Sequence, residues 1–226
     1  MQLDWTYLGL VPYSKALRLQ YGYARHLERR EGNPFLFLMQ HPPVITLGRR
    51  SRPEHLLLEP EEYRKRGIEL VEVKRGGGPT FHGPGQLVGY PVARLDLLGV
   101  RVPDWVRGCA SALQNVLDSH GIRAEWSEQA PGLWVGEAKI AAFGFHIVRK
   151  VISTHGFALN VDVDLANFET FVPCGLPSAA VTSVRAQGSS VSLRELTVQV
   201  ACELAKRFGL DARWKEAEEI VPEDNY

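Results

Sequence analysis

Twelve residues, Arg75-Gly76-Gly77-Gly78-Pro79-Thr80-Phe81-His82-Gly83-Pro84-Gly85-Gln86, hold five glycines and two prolines. No helix interior tolerates that density of breakers. The same glycines let a backbone approach a ligand closely and turn N–H groups toward it. The segment lacks the Gly-Lys-Ser/Thr ending of a Walker A loop and the spacing of a GxGxxG dinucleotide fingerprint. On its residues alone it reads either as an elaborate hairpin loop or as a ligand cradle. Any fold must carry it between strand-like runs at 69–74 (ELVEVK) and 86–91 (QLVGYP).

Around it the pattern mixes strands and helices without a regular βαβ alternation. Residues 2–9 alternate as a strand. Leu17, Tyr21, Ala24 and Leu27 recur at helical spacing from Ser14 to about Arg30, with Gly32 as the stop. The runs 35–39 (FLFLM) and 44–47 (VITL) read as two strands meeting at the turn His41-Pro42-Pro43, and Glu59–Arg66 as a short helix. Asp104 is expected to cap a helix ending at His120-Gly121, with Trp105, Cys109, Leu113, Val116 and Leu117 on its apolar side. Residues 132–148 and 153–161 look like paired strands. Ser192 is expected to cap a final helix with Leu193, Leu196, Val200, Leu204 and Phe208 in one stripe. The fold class is therefore α/β in the loose, α+β sense: a mixed sheet flanked by helices.

The chain's 226 residues suit one domain spanning 1–226. Lysine plus arginine is 26 and aspartate plus glutamate is 26, which speaks against a nucleic-acid binder held by bulk positive charge. No basic-then-apolar leader and no run of 18 apolar residues is found, so neither a signal peptide nor a membrane span is expected. Three cysteines without a CxxC suit neither a disulfide framework nor a four-ligand zinc site, and a reducing, cytoplasmic setting is expected. Seven histidines without HxxxH or HExxH spacing give a metal little support.

Three places can carry chemistry. Cys174 lies in Val172-Pro173-Cys174-Gly175-Leu176-Pro177, too rich in breakers for a helix interior, where a rigid loop can present a thiol to a cleft. Cys109 falls on an apolar helix stripe and Cys202 near a polar helix edge, and both read as structural. Lys139, within GEAKIAAFG from Gly136, enters an apolar stretch where a charged ammonium meets a desolvation cost, although most lysines are simply solvated. The glycine segment itself is the third, and His155 beside Gly156 adds a histidine in a strand-like context. Singly these features suggest covalent acyl chemistry and leave the bland readings open.

Together and in this order they resemble the lipoyl(octanoyl) transferase B family. The resemblance rests on HPPVITLG from His41, RGGGPTFHGPGQLVGYP from Arg75, GEAKIAAFGFHI from Gly136, THGFALN from Thr154 and VPCGLP from Val172. It implies the fold of biotin and lipoate protein ligase catalytic domains. It also implies transfer of an octanoyl (or lipoyl) group from the phosphopantetheine thioester of acyl carrier protein to a specific lysine of a lipoyl domain. Such domains occur in the E2 subunits of 2-oxoacid dehydrogenases and in the glycine-cleavage H protein. By resemblance Cys174 is the nucleophile that carries the acyl-thioester, and Lys139 completes a Cys/Lys dyad. Arg75, Gly76, Gly77, Gly78, Pro79, Thr80, Phe81 and His82 would line the acyl pocket. So would Ala142, Phe143 and Gly144, and Gly156, Phe157 and Ala158. His41, His82 and His155 would lie near the dyad without a proton-transfer role.

The implied enzyme uses no ATP and no metal, acts as a monomer, and meets neither nucleic acid nor membrane. Its partners are commonly acidic small domains, so Arg49-Arg50-Ser51-Arg52 and Arg149-Lys150 are expected near the cleft mouth. Two alternatives stand beside it. An ATP-dependent lipoate-protein ligase on the same fold would not need Cys174. A non-catalytic acyl-binding module would need neither Cys174 nor Lys139.

Overall fold

The computed structural model of the chain describes residues 1–172 and 180–220. Its first half runs β1 (Gln2–Leu10), α1 (Tyr13–Glu28), β2 (Phe35–Gln40), β3 (Val44–Leu47), α2 (Pro60–Lys65), β4 (Glu69–Glu72), β5 (Pro79–His82) and β6 (Gln86–Arg94). The second half runs α3 (Val102–Ser119), β7 (Glu125–Ser127), β8 (Gly132–Val135), β9 (Ala138–Val148), β10 (Ile152–Asn160), β11 (Ala180–Val181), α4 (Leu193–Arg207) and β12 (Asp211–Trp214). A mixed sheet takes the order β12-β1-β2-β6-β10-β9-β8-β7, with β11 pairing β9, and a three-stranded sheet takes the order β4-β3-β5. The α/β class expected from the pattern is what forms.

Helices cover both faces of the large sheet, because its central strands are apolar on both sides. On one face α3 and α4 pack Trp105, Leu113, Leu117, Leu196 and Leu204 against Leu36, Leu87 and Leu159. On the other, α1 lays Tyr13, Ala16, Tyr23 and Leu27 against Phe35, Phe37, Val88 and Val92. A third cluster, Ile45, Tyr63, Phe81 and Phe171, holds the small sheet together.

Four expectations need correction. The runs 35–39 and 44–47 do not pair with each other: β2 lies in the large sheet, while β3 pairs β4 and β5. Pro42-Pro43 supplies no donors and fixes its own backbone angles, so the chain leaves one sheet for the other instead of folding back. Asp104 does not cap α3. Arg101 holds the N-cap position without a side-chain cap, Pro103 fits the first turn, and Asp104 accepts from Arg101 Nε at 2.7 Å inside that turn. The buried face of α1 is Tyr13, Ala16, Gln20, Tyr23, Ala24 and Leu27, leaving Leu17 and Tyr21 half-buried, because the polar Gln20 faces inward. Finally, the glycine segment is not all loop: Pro79–His82 is strand β5, antiparallel to β3.

One irregularity decides where the site forms. Strands β6 and β10 pair from Arg94 to Ala93 and again from Gly89 to Gln86, with no pairs between Ser153↔Ala93 and Phe157↔Gly89. Pro91 sits in that gap and has no N–H to give. Its ring faces β10: a Cβ on Gly156 would lie 2.6 Å from Pro91 Cδ and 2.1 Å from Gly89 O. His155 takes a left-handed φ of 56°, and its N–H is received by Gln20 Oε1 of α1 at 2.7 Å. An inward-facing glutamine thus replaces the missing ladder partner.

Candidate active site

Beside this interruption a cleft lies between the two sheets. Strands β9 and β10 contribute Ala142, Phe143 and Gly144, and His155, Gly156, Phe157 and Ala158. Opposite them stand Arg75, Gly77, Gly78, Pro79, Thr80 and His82. Three stretches far apart in sequence therefore meet around one largely apolar space. Two residues singled out with them stand elsewhere. Phe81 points from the other face of β5 into the small-sheet core, its ring 5.5 Å from that of Phe168. Gly76 lies on the outer side of the loop, its N–H bonded to Phe145 O at 3.0 Å. Tyr13, Val88 and Tyr90 also line the cleft and were not among the expected residues. Their signals were Tyr13 at the start of a helix and the alternation of β6, but neither says which face meets a ligand.

Arg75 organises the glycine loop. It is 7% exposed and donates from Nε and Nη2 to Thr46 Oγ1 at 3.1 and 2.7 Å. Nη2 also reaches Thr46 O at 2.6 Å, and Nη1 reaches Gly76 O and Gly78 O at 3.0 and 2.8 Å. The planar fork of a guanidinium suits such multiple anchoring, which a lysine cannot copy. The loop is held against β9 as well, where a Cβ on Gly144 would lie 3.0 Å from Arg75 Cδ and 3.1 Å from Gly76 O.

A ring cluster forms the polar end of the cleft. His41 Nδ1 donates to Val11 O at 2.6 Å, so its Nε2 accepts from Tyr90 Oη at 2.8 Å. Gln86 Nε2 is committed to Phe81 O and Asn160 Oδ1, so Gln86 Oε1 accepts from His82 Nδ1 at 2.7 Å. Tyr13 Oη stands 3.4 Å from His155 Nδ1. Burial lowers the pKa of His41 to about 4 and that of His155 to about 3, and lowers that of His82 well below the usual value. Burial likewise pushes the Tyr13 and Tyr90 phenols upward. At neutral pH the cluster is uncharged, a fixed hydrogen-bonding scaffold rather than a set of proton carriers.

Lys139 is not among the residues that line the cleft, but a β-bulge turns it to the same side of β9 as the lining residue Ala142. Leu133 faces Ala141 and Trp134 faces Lys139, so β9 carries one extra residue, Ile140, against β8. Ile140 and Ala141 both turn into the core beneath α3. Lys139 then emerges on the side of Ala142, where a Cβ on its neighbour Gly132 would lie 2.9 Å from Lys139 Cε. Bulges re-aim side chains in this way beside active sites. Its Nζ stands 4.8 Å over the Trp134 ring and 3.5 Å from Pro131 O, and the residue is 7% exposed. Cys174 lies outside the described residues. The chain is described up to Val172, whose N–H bonds His55 O, and again from Ala180, which pairs with Ala138 while Val181 pairs with Lys139. Of the other cysteines, Cys109 is buried among apolar side chains, which pushes its pKa far up, and Cys202 is exposed.

Among the described residues no group of three His, Cys, Asp or Glu side chains could hold a metal ion. No helix among them is long and apolar enough to cross a membrane. Compared with known proteins, residues 12–219 match the family described as the lipoyl protein ligase A/B catalytic domain. A protein of Chloroflexus aurantiacus named octanoyltransferase is 39% identical over 210 residues, covering 92% of this chain and 94% of its own. Among solved structures, a lipoate-protein ligase A bound with ATP superposes with a TM-score of 0.77 at 21% identity, covering 97% of this chain and 91% of that one. A bi-partite lipoate protein ligase of Thermoplasma acidophilum, described with its E2 lipoyl domain, gives 0.71 at 20% identity, over 96% and 88%. At such identities the structural likeness is one of fold.

Proposed function

We propose, for a chain that belongs to the lipoyl protein ligase A/B catalytic-domain family and is an acyltransferase of the octanoyltransferase kind, a two-step transfer through Cys174. In the first step the Cys174 thiolate attacks the carbonyl of an octanoyl thioester on acyl carrier protein. The carrier's phosphopantetheine sulfur leaves as a thiolate and takes up the proton that Cys174 gave. Thioester is exchanged for thioester, so the step is nearly isoenergetic and needs no ATP. In the second step the amine of a lipoyl-domain lysine attacks the acyl-enzyme, an amide forms, and the sulfur of Cys174 departs.

Lys139 moves the protons as an unprotonated amine: it takes one from the Cys174 thiol and gives it to the departing phosphopantetheine sulfur, then takes one from the attacking amine and returns it to the departing Cys174 sulfur. The observation that carries this reading is the bulge that brings Lys139 to the cleft side of β9, where Val181 pairs with it at the chain's return from the Cys174 segment. The cleft, lined by Ala142, Gly144, Gly156 and Ala158, is suited to an unbranched acyl chain, because those small residues leave room along the backbone. Arg75 and the neutral histidines hold its walls and take no part in proton transfer.

The test mixes the pure protein with octanoyl-acyl carrier protein in the absence of nucleotide and records intact mass. A hydroxylamine-sensitive octanoyl adduct, lost in Cys174→Ala, is the expected result. Lipoyl-domain modification that appears only with ATP and persists in Cys174→Ala would overturn it in favour of a ligase.

A further inference from the structure

Strand β9 changes partners along one edge. From Ala141 to Val148 that edge is taken by β10, whose last pair is Leu159↔Ala141. At Ala138 and Lys139 it is taken by β11, which sets Val181 against Lys139, while β8 holds the other edge through Trp134. Asn160 stands at the fork, the first residue of β10 beyond the β9 ladder. Its backbone still pairs with Gln86 of β6, and its O accepts from Val184 N at 2.9 Å. The buried side chain bridges the parting strands: Oδ1 accepts from Gln86 Nε2 at 2.9 Å and Nδ2 donates to Thr182 O at 3.0 Å. Thr182 N in turn donates to Lys139 O at 3.0 Å.

We propose that Asn160 is a positioning residue for Lys139: by holding Thr182 it seats β11 on β9 and so preserves the bulge that turns Lys139 to the cleft side. The inference rests on the acyl-transfer reading above. The competing arrangement is easily stated. If β10 ran on along β9 in its existing register, Asn160 would face Ile140 and Val161 would face Lys139. An unbroken ladder of that kind favours strict alternation, which puts Lys139 on the core side with Ala141. Asparagine suits the fork because one short side chain both accepts and donates. Its acceptor is committed to β6 and its donor to β11. An apolar residue at 160 would take the donor from Thr182 O and one partner from Gln86 Nε2, both in a buried setting where a lost hydrogen bond is costly. Strand β11 would then be released from β10, and with it the second of the two ladders that flank Lys139.

The experiment reads two quantities on the full chain. One is the single-turnover rate constant for acylation by saturating octanoyl-acyl carrier protein, which a smaller folded fraction does not change. The other is the NMR signal of Lys139 Cε in protein labelled with ε-¹³C lysine. It is one of seven lysine signals, identified by its loss in Lys139→Arg and displaced by the ring current of Trp134, over which Nζ stands at 4.8 Å. Asn160→Ala is expected to slow acylation about 10- to 100-fold, the scale of a misplacement near 1 Å. It should also move the Lys139 signal to the position of solvated lysines. Ser192→Ala, which removes a helix cap in α4, changes neither quantity. Should Asn160→Ala fail to fold, Asn160→Ser carries the same criteria. An unmoved signal or an unchanged rate constant in the folded variant overturns the proposal. A wild-type protein that takes no octanoyl from the thioester overturns the transfer reading instead, and the signal alone then decides whether Asn160 places Lys139.

Discussion

At Gly132 a single hydrogen atom stands where any side chain would press on Lys139, since a Cβ there would lie 2.9 Å from Lys139 Cε and 2.8 Å from Ala141 O. Gly132→Val should therefore displace Lys139 Nζ and slow transfer by about 10- to 100-fold, the scale expected for a misplacement near 1 Å. Single-turnover transfer from octanoyl-acyl carrier protein, with circular dichroism as the control for folding, checks this. His41 makes a second prediction. Its pKa is near 4 in the folded chain and near 6.5 when free, so the unfolded state binds the extra proton between those values. Stability present above pH 6.5 is accordingly lost as pH falls toward 4, about 2 kcal/mol of it by pH 5. Urea unfolding at pH 7.5 and 5 should show at least that loss, and His41→Gln should reduce it by that share while His82 and His155, lowered by burial in the same way, keep the rest. The residue types of this scaffold were legible in the sequence, the partners were not. His41 and His82 stood out as motif letters, while Tyr90 and Gln86, which fix their tautomers, looked like ordinary strand residues.

The last helix shows how far an element can be read from local chemistry. Ser192 accepts from Glu195 N at 3.2 Å while Glu195 Oε2 receives the Ser192 N–H at 2.9 Å, the reciprocal cap that the serine suggested. Ser192→Ala should cost about 1 kcal/mol, lowering Tm by roughly 2–4 °C in a scanning-calorimetry comparison. Leu196, Val200 and Leu204 bury as their spacing required. The strands were harder to read, because pairing is set by partners remote in sequence. Strand β3 looks like the second arm of a hairpin until β4 and β5 are seen beside it. The short β12 and β7 carry too little alternation to announce themselves and form by docking on β1 and β8. The bulge at Ile140 is the most consequential omission. Strict alternation would put Lys139 on the same side as Ala141 and Phe143, facing the core, and only the register against β8 shows that it crosses over.

Across the whole molecule, 26 basic and 26 acidic residues average to zero, yet their placement is uneven. Arg49 and Arg50 are exposed, and their backbone N–H groups bond Arg75 O and Gly77 O at 3.1 and 3.0 Å, so this pair is tied directly to the rim of the cleft. Arg149 and Lys150 serve differently. Both take positive φ in the β9–β10 turn, and Arg149 pairs with Glu28 at 3.1 Å. Reversing charge in Arg49→Glu/Arg50→Glu should raise KM for octanoyl-acyl carrier protein about tenfold at low salt and flatten its salt dependence. Kcat for a small uncharged octanoyl thioester should stay the same, and steady-state kinetics across ionic strength separates the two. The interruption opposite Pro91 has a consequence for how this architecture can drift. A sheet ordinarily mends itself, each strand sliding until its donors are matched. Here mending has no reward, because position 91 has no N–H to bond, and any side chain at position 156 would strike Gly89 O. Completing the ladder would take coordinated changes at several positions, so the loops around it can vary across descendants of this chain while the interruption itself persists.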